Sequence, residues 1–202
     1  MHFGVILLMV SRQLPNRGHT FALLKPDITS NPIILKKVIE RIVDEGLLIV
    51  GGKRLTLTKE IAGELYKEHE GKFFYNRLIT HVCSGPVIAL KLTTVPESKN
   101  DPVKLWRNLL GPSKLFKNWM ENDNSESLRN SFSLSDTRNV GHGSDTILST
   151  ERELKIFEPF DLINGELIEK ESLINRLIPD LKKMESDIIN DGDNNNNDEL
   201  VD

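Results

Sequence analysis

Thr20 to Leu57 reads TFALLKPDITSNPIILKKVIERIVDEGLLIVGGKRLTL, and its pattern decides the fold class. TFALLK (Thr20 to Lys25) is a short apolar run that Pro26 ends as a strand. Asn31 and Pro32 then open a helix. Asn is a good N-cap, and Pro at the first helical position lacks only an N–H that would have no partner there. Ile34, Leu35, Val38, Ile39, Ile42 and Val43 recur at helical spacing, and Gly46 closes the helix. LLIVGGKRLTL is rich in β-formers, with Gly51-Gly52 marking a bulge or bend.

Working outward, Thr58 caps a second helix with Ile61 and Leu65 as its apolar positions and Tyr66 following. PVIALKLT (Pro86 to Thr93) reads as a strand and Pro102 to Leu110 as a helix. A polar loop runs from Gly111 to about Asn130. SFSLS (Ser131 to Ser135) reads as a fourth strand, and Leu148 to Phe157 as a helix with Thr150 or Ser149 near its cap. This alternation predicts an α/β (α+β) ferredoxin-like sandwich over residues 20–160: a four-stranded antiparallel sheet with helices on one face. A C-terminal helical extension, 161–185, follows, with Leu167, Ile168, Leu173, Ile174, Leu177, Ile178 and Leu181 at amphipathic spacing. Residues 186–202 are acidic, Asn-rich and expected to be disordered. Residues 1–19 form an N-terminal extension that reads equally as a targeting segment or as an extra strand packed on the body.

After Lys183 there are seven carboxylates and no Lys or Arg. Setting them aside moves the formal charge from −4 for 202 residues to +3 for residues 1–183. A mildly basic body suits the handling of anions but is too weak to imply nucleic-acid binding. The single cysteine, Cys83, excludes an intrachain disulfide and a cysteine-based metal cluster. No apolar run approaches the roughly 18 residues of a membrane span.

Of the five histidines, no pair has the helical spacing of a zinc site. His69, in KEHEGK, reads as a surface residue and His81 as a satisfied core histidine. His142 differs: in RNVGHGSD (Arg138 to Asp145) it stands between two glycines, with a hydroxyl and a carboxylate next. From those residues alone, a turn and an exposed nucleophile are both open. Lys25 ends a buried strand, where open α/β sheets tend to bind ligands, and Arg107 and Arg129 would suit phosphate if they converge there. VGGKRLT lacks the spacer of a P-loop.

TFALLKPD, FYNRLITHVCSGPV, LLGPS, SLRNSF and above all RNVGHGSD…STERE resemble the nucleoside diphosphate kinase family, in its motif order, from Thr20 to about Phe160. The wording is more similar to the divergent group that includes the sixth human-type member than to the housekeeping hexamers. The resemblance implies transfer of the γ-phosphate of ATP or another triphosphate to a nucleoside diphosphate, by ping-pong through a phosphohistidine at His142. On it, the flanking glycines would leave the ring reachable. Glu153 would hold the ring nitrogen that does not attack, with Ser144 assisting and Tyr66 close by. Arg107, Arg129 and Ser113 (threonine in most members) would bind phosphates, Lys25 and Asn139 the ribose hydroxyl and phosphates, and Phe74 the base. Mg²⁺ would arrive on the nucleotide, with no dedicated protein site.

The chain departs from the family between Ser113 and Arg129, where its loop is longer and lacks the usual proline, and at Asn31-Pro32, where members carry Arg-Gly. The loop change puts a hexamer in doubt and leaves Leu115, Phe116, Trp119 and Met120 as a cluster for a protein partner or a cover over the site. A nucleotide-binding regulatory subunit of low activity is therefore the alternative to an enzyme. The acid-free, arginine-containing start, with the resemblance, points to the mitochondrial matrix or the cytoplasm.

Overall fold

The first strand, β1 (Thr20–Leu24), is buried at all five positions, and its side chains divide between two cores. Successive strand residues face opposite sides of a sheet, so such a strand needs a packed layer on each side. In this computed structural model, which describes residues 18–95, 98–114, 126–162, 170–179 and 181, helices supply both layers. Ala22 and Leu24 pack with the helices α2 (Pro32–Asp44) and α5 (Pro102–Leu110). Phe21 and Leu23 pack with α3 (Lys59–Leu65), α4 (Tyr75–Val82) and α7 (Ile147–Phe157). The expected single helical face is thus corrected to two.

The sheet order is β4-β1-β3-β2-β5, antiparallel throughout, with β2 at Leu47–Thr56, β3 at Pro86–Thr94, β4 at Gly141–Gly143 and β5 at Asp161–Leu162. The first four strands are the expected antiparallel sheet. The register of β2 on β3 shifts between Ile49 and Gly51, the irregularity that Gly51-Gly52 predicts. Asn31 caps α2 by accepting from the Ile33 and Ile34 N–H groups, each at 3.1 Å. Thr58 caps α3 through the Ile61 N–H.

Three local expectations are corrected. The fourth strand is not SFSLS: Ser131 and Phe132 end a short helix, α6 (Leu128–Phe132), that the Ser127 hydroxyl caps at Asn130. Phe132 packs on the core from that helix, while Leu134 stays 70 % exposed, so the two do not share a buried strand face. The cap of α7 is Thr146, in a reciprocal box with Ser149, while Thr150 lies inside the helix with its hydroxyl on the Thr146 carbonyl. The helix α4 carried no prediction; Leu78, Ile79 and Val82 are its buried face. A further short helix, α1 (Pro26–Thr29), directly follows β1.

At the far edge, β5 pairs with Gly51 and Gly52 of β2. Beyond it, α8 (Lys170–Leu177) buries Leu173, Ile174 and Leu177 in the same core as α2, and Ile178 and Leu181 follow them. A Cβ on Gly51 would sit 3.0 Å from Phe160 Cβ, and one on Gly52 3.3 Å from Leu177 Cδ2. The glycine pair therefore also seats the C-terminal segment. The apolar cluster between residues 115 and 120, most of the N-terminal extension and the acidic tail lie outside the described residues.

Candidate active site

His142 occupies the middle of β4 and is paired in register with Leu23 of β1. Its ring lies on the face of the sheet that carries α7, where Glu153 reaches it. The imidazole Nε2 lies 2.9 Å from Glu153 Oε2, and the Ser144 hydroxyl donates to that same oxygen at 2.7 Å. Arg152 Nη2 donates to the other carboxylate oxygen at 3.1 Å. Glu153 is 1 % exposed, so these donors replace the water that a carboxylate would otherwise demand. Among the described residues no hydrogen bond reaches His142 Nδ1. The Tyr66 ring meets the imidazole edge-on at 5.3 Å, and Phe21 lies at 6.1 Å.

The two flanking glycines answer to the opposite face. A Cβ on Gly141 would lie 2.6 Å from the Leu23 carbonyl oxygen, and one on Gly143 would lie 2.5 Å from Trp106 Cδ1 of α5. The Trp106 indole N–H donates to the His142 carbonyl at 3.2 Å, so the N–H edge of the indole is held against the strand. Alternation along the strand puts the imidazole on one side and both missing side chains on the other. The glycines thus serve the packing of α5 on the strand rather than access to the ring.

His142 opens onto a cavity of about 280 Å³ that Arg107, Ser113, Arg129, Glu153, Glu68 and His69 also line. Arg107 is exposed, with a 3.5 Å approach to the Gly143 carbonyl. Arg129 is tied down by three carbonyls: Nε to Asn139 at 3.1 Å, Nη1 to Gly111 at 2.6 Å and Nη2 to Gly141 at 2.9 Å. Three of the five guanidinium N–H groups are thus spent on the chain, leaving two for a ligand. Burial and the nearby charge of Arg107 lower its pKa to about 10, which still leaves it a cation at neutral pH.

Lys25 is 4 % exposed at the end of β1; its ammonium donates to Asn139 Oδ1 at 2.6 Å and to the Thr137 carbonyl at 3.1 Å. Burial first, then the charge of Arg129, pulls its pKa down to about 7, against an opposing pull from Asp27. Tyr66 is raised by burial and by the charge of Glu153, so it stays a neutral phenol. Phe74 is half-buried and does not line the cavity; it stands one ring away, edge-on to His69 at 5.5 Å.

His142, Glu153, Ser144 and Tyr66 therefore meet, and Arg107, Arg129 and Ser113 face them across the cavity. Lys25 and Asn139 form a buried pair joined to Arg129 through the Asn139 carbonyl. Sequence reasoning missed Trp106, Arg152 and Asp27, and took His69 for a surface group. His69 is half-buried, stacked on Tyr66 at 6.0 Å, with a pKa lowered by burial and by Lys72. Its two aromatic partners at i−3 and i+5 were the available signal.

Fold and site together define a class: a ferredoxin-like sandwich presenting a carboxylate-anchored histidine beneath two arginines, a setting for a polyanionic ligand. Comparison with known proteins narrows it. Residues 18–161 match the nucleoside diphosphate kinase family as a whole. The chain is 41 % identical over 140 residues to human nucleoside diphosphate kinase 6, covering 69 % of this chain and 72 % of that one. It is 36 % identical over 144 residues to the nucleoside diphosphate kinase of Desulfitobacterium hafniense (strain Y51), covering 71 % and 89 %. Among solved structures it superposes on the Halobacterium salinarum nucleoside diphosphate kinase in complex with CDP with a TM-score of 0.63 at 27 % identity, covering 78 % of this chain and 98 % of that one. The chain belongs to the nucleoside diphosphate kinase family.

Proposed function

We propose that this chain transfers the γ-phosphoryl group of a nucleoside triphosphate to a nucleoside diphosphate through a phosphohistidine at His142. The observation that carries it is the anchoring of His142 by Nε2 on Glu153, which leaves Nδ1 as the nitrogen turned to chemistry. A neutral imidazole with its N–H on a carboxylate keeps a lone pair on the other nitrogen, and that lone pair is the nucleophile. It attacks the γ-phosphorus, the N–P bond forms, and the bond to the β-phosphate oxygen breaks with its electron pair leaving on the diphosphate. In the second half the acceptor's terminal phosphate oxygen takes the phosphoryl group back off Nδ1. One cavity serves both halves, since donor and acceptor differ by the group that is moved.

Arg107 and the two remaining N–H groups of Arg129 meet the charge on the transferring oxygens, with Ser113 at the cavity wall. Lys25 and Asn139 are assigned to ribose and phosphates, and Phe74 to the base. Mg²⁺ belongs to this scheme as the companion of the nucleotide phosphates. A Mg²⁺ ion is hard and holds its water tightly, so bridging phosphate oxygens suit it better than a dedicated protein cage. The address remains a proposal of mitochondrial matrix or cytoplasm.

The test is labelling with γ-labelled ATP for the protein and for His142→Ala, with a GDP chase. Acid-labile label that needs His142 and leaves as GTP is the expected result. Label that stays on the chain would replace the enzyme with the nucleotide-binding subunit of low activity. No label on a folded, nucleotide-binding chain would sink the phosphohistidine.

A further inference from the structure

Val140 is the one non-glycine residue with positive φ among the described residues, at 75°, and it is β-branched and fully buried. Backbone of that kind is strained for Val and persists only where neighbours hold it. The Gly141 N–H donates to the Asn139 carbonyl at 2.9 Å, so Val140 is the centre of a γ-turn that feeds directly into β4 and His142. Arg129 grips the two carbonyls on either side of Val140, and the Lys25 N–H donates to the Val140 carbonyl at 2.9 Å. The remaining group, the Val140 N–H, donates to Asp27 Oδ2 at 2.9 Å.

Asp27 follows Pro26 in the first turn of α1, and its side chain is 2 % exposed. Its second oxygen, Oδ1, lies 2.8 Å from His81 Nε2. Burial pushes the carboxyl upward, but the His81 bond, the Val140 N–H and the charges of His81 and Lys25 outweigh it and hold the group below the usual range. His81 in turn lines a second cavity with Arg77, Thr80 and Arg138, which shares no lining residue with the first. Asp27 thus gives one buried oxygen to His81 and the other to a single main-chain N–H two residues from His142.

We propose that Asp27 is a positioning residue: through the Val140 amide it holds the strained turn that sets the place of His142, with His81 as its outer brace. The effect on turnover rests on the phosphohistidine reading above. A small displacement of a nucleophile costs far more in rate than in ground-state binding. Loss of Asp27 therefore falls on kcat rather than on KM.

The experiment measures transfer from ATP to GDP and hydrogen exchange at the Val140 amide, on the full chain, for the protein, Asp27→Ala, Asp27→Asn and His81→Ala. Asp27→Ala is expected to lower kcat by roughly 30-fold, with KM for both nucleotides kept within about threefold. Its Val140 amide is expected to exchange at least about tenfold faster. Asp27→Asn restores kcat to within about threefold of the unsubstituted protein, because the amide oxygen still accepts from the Val140 N–H and the side chain keeps its shape beside His81. His81→Ala falls between the two. Unchanged kcat in Asp27→Ala, or a loss in Asp27→Asn as large as in Asp27→Ala, overturns the proposal.

If Asp27→Ala does not fold, the same change is made in a Val140→Gly background, where φ of 75° carries no strain. There its cost in kcat drops below about threefold if Asp27 acts through the turn, and an undiminished cost overturns it. An inactive chain whose Val140 exchange still responds to Asp27→Ala would refute the phosphotransfer and leave the clamp standing.

Discussion

Two histidine–carboxylate pairs lie in this molecule with nearly the same contact distance, 2.9 Å for His142–Glu153 and 2.8 Å for His81–Asp27. Their surroundings differ. Among the described residues Glu153 collects only side-chain donors, from His142, Ser144 and Arg152, so it acts on the ring it holds. Asp27 divides its oxygens between a ring and a main-chain N–H, so it acts on the backbone. The first histidine faces Arg129, which three carbonyls lock in place; the second faces Arg77, which rests 5.7 Å from the Phe73 ring at the surface. A carboxylate beside an imidazole is therefore no sign of chemistry by itself. What decides is the free nitrogen's outlook and whether the facing cations are fixed.

The largest effect that would break this comparison is at His142, the proposed nucleophile. His142→Ala should cut turnover by about 10⁴-fold or more, while nucleotide affinity by titration stays within a few fold. His81→Ala losing as much turnover would erase the distinction. Glu153→Ala comes next: a ring without its anchor should lose on the order of 10²-fold in kcat, read together with slower formation of acid-labile label.

Gly143→Ala probes the shared wall of the first pair. Its Cβ would collide with Trp106, and thermal or denaturant unfolding should show a loss of about 1–3 kcal/mol. The smallest effect is a slope with pH. Lys25, lowered to about 7, sheds its proton above that pH, so nucleotide affinity should fall as pH rises past about 7. Between about 7 and the ordinary lysine value the folded chain binds fewer protons than the unfolded one, so stability should rise with pH across that window. Lys25→Met should flatten both slopes, and equal slopes in the two proteins would count against Lys25 as the source.

The elements built from local signals were legible in the sequence: Asn31-Pro32, Thr58 and Pro102 each marked a helix start because capping is settled within a few residues. The strand at Gly141–Gly143 was not, since three residues carry no period and its pairing with β1 spans more than a hundred residues. SFSLS drew the strand assignment by alternation alone, although Leu134 is exposed and Phe132 belongs to a helix. Within the site, His142 and Glu153 lie eleven residues apart and belong to one motif, whereas His81 and Asp27 lie 54 apart, in two segments with no common pattern.

The sequence by itself determined the alternation of strands and helices, the family, and which residue types stand ready near His142, because periodicity, caps and motif order are written along the chain. Tertiary structure alone decided that the glycines make room for Trp106 and the Leu23 carbonyl, that Arg129 spends most of its donors on the backbone, and that Asp27 holds Val140 in a strained turn. Those facts depend on which distant atoms fill the space beside each residue, and close packing fixes that only when the layers have come together.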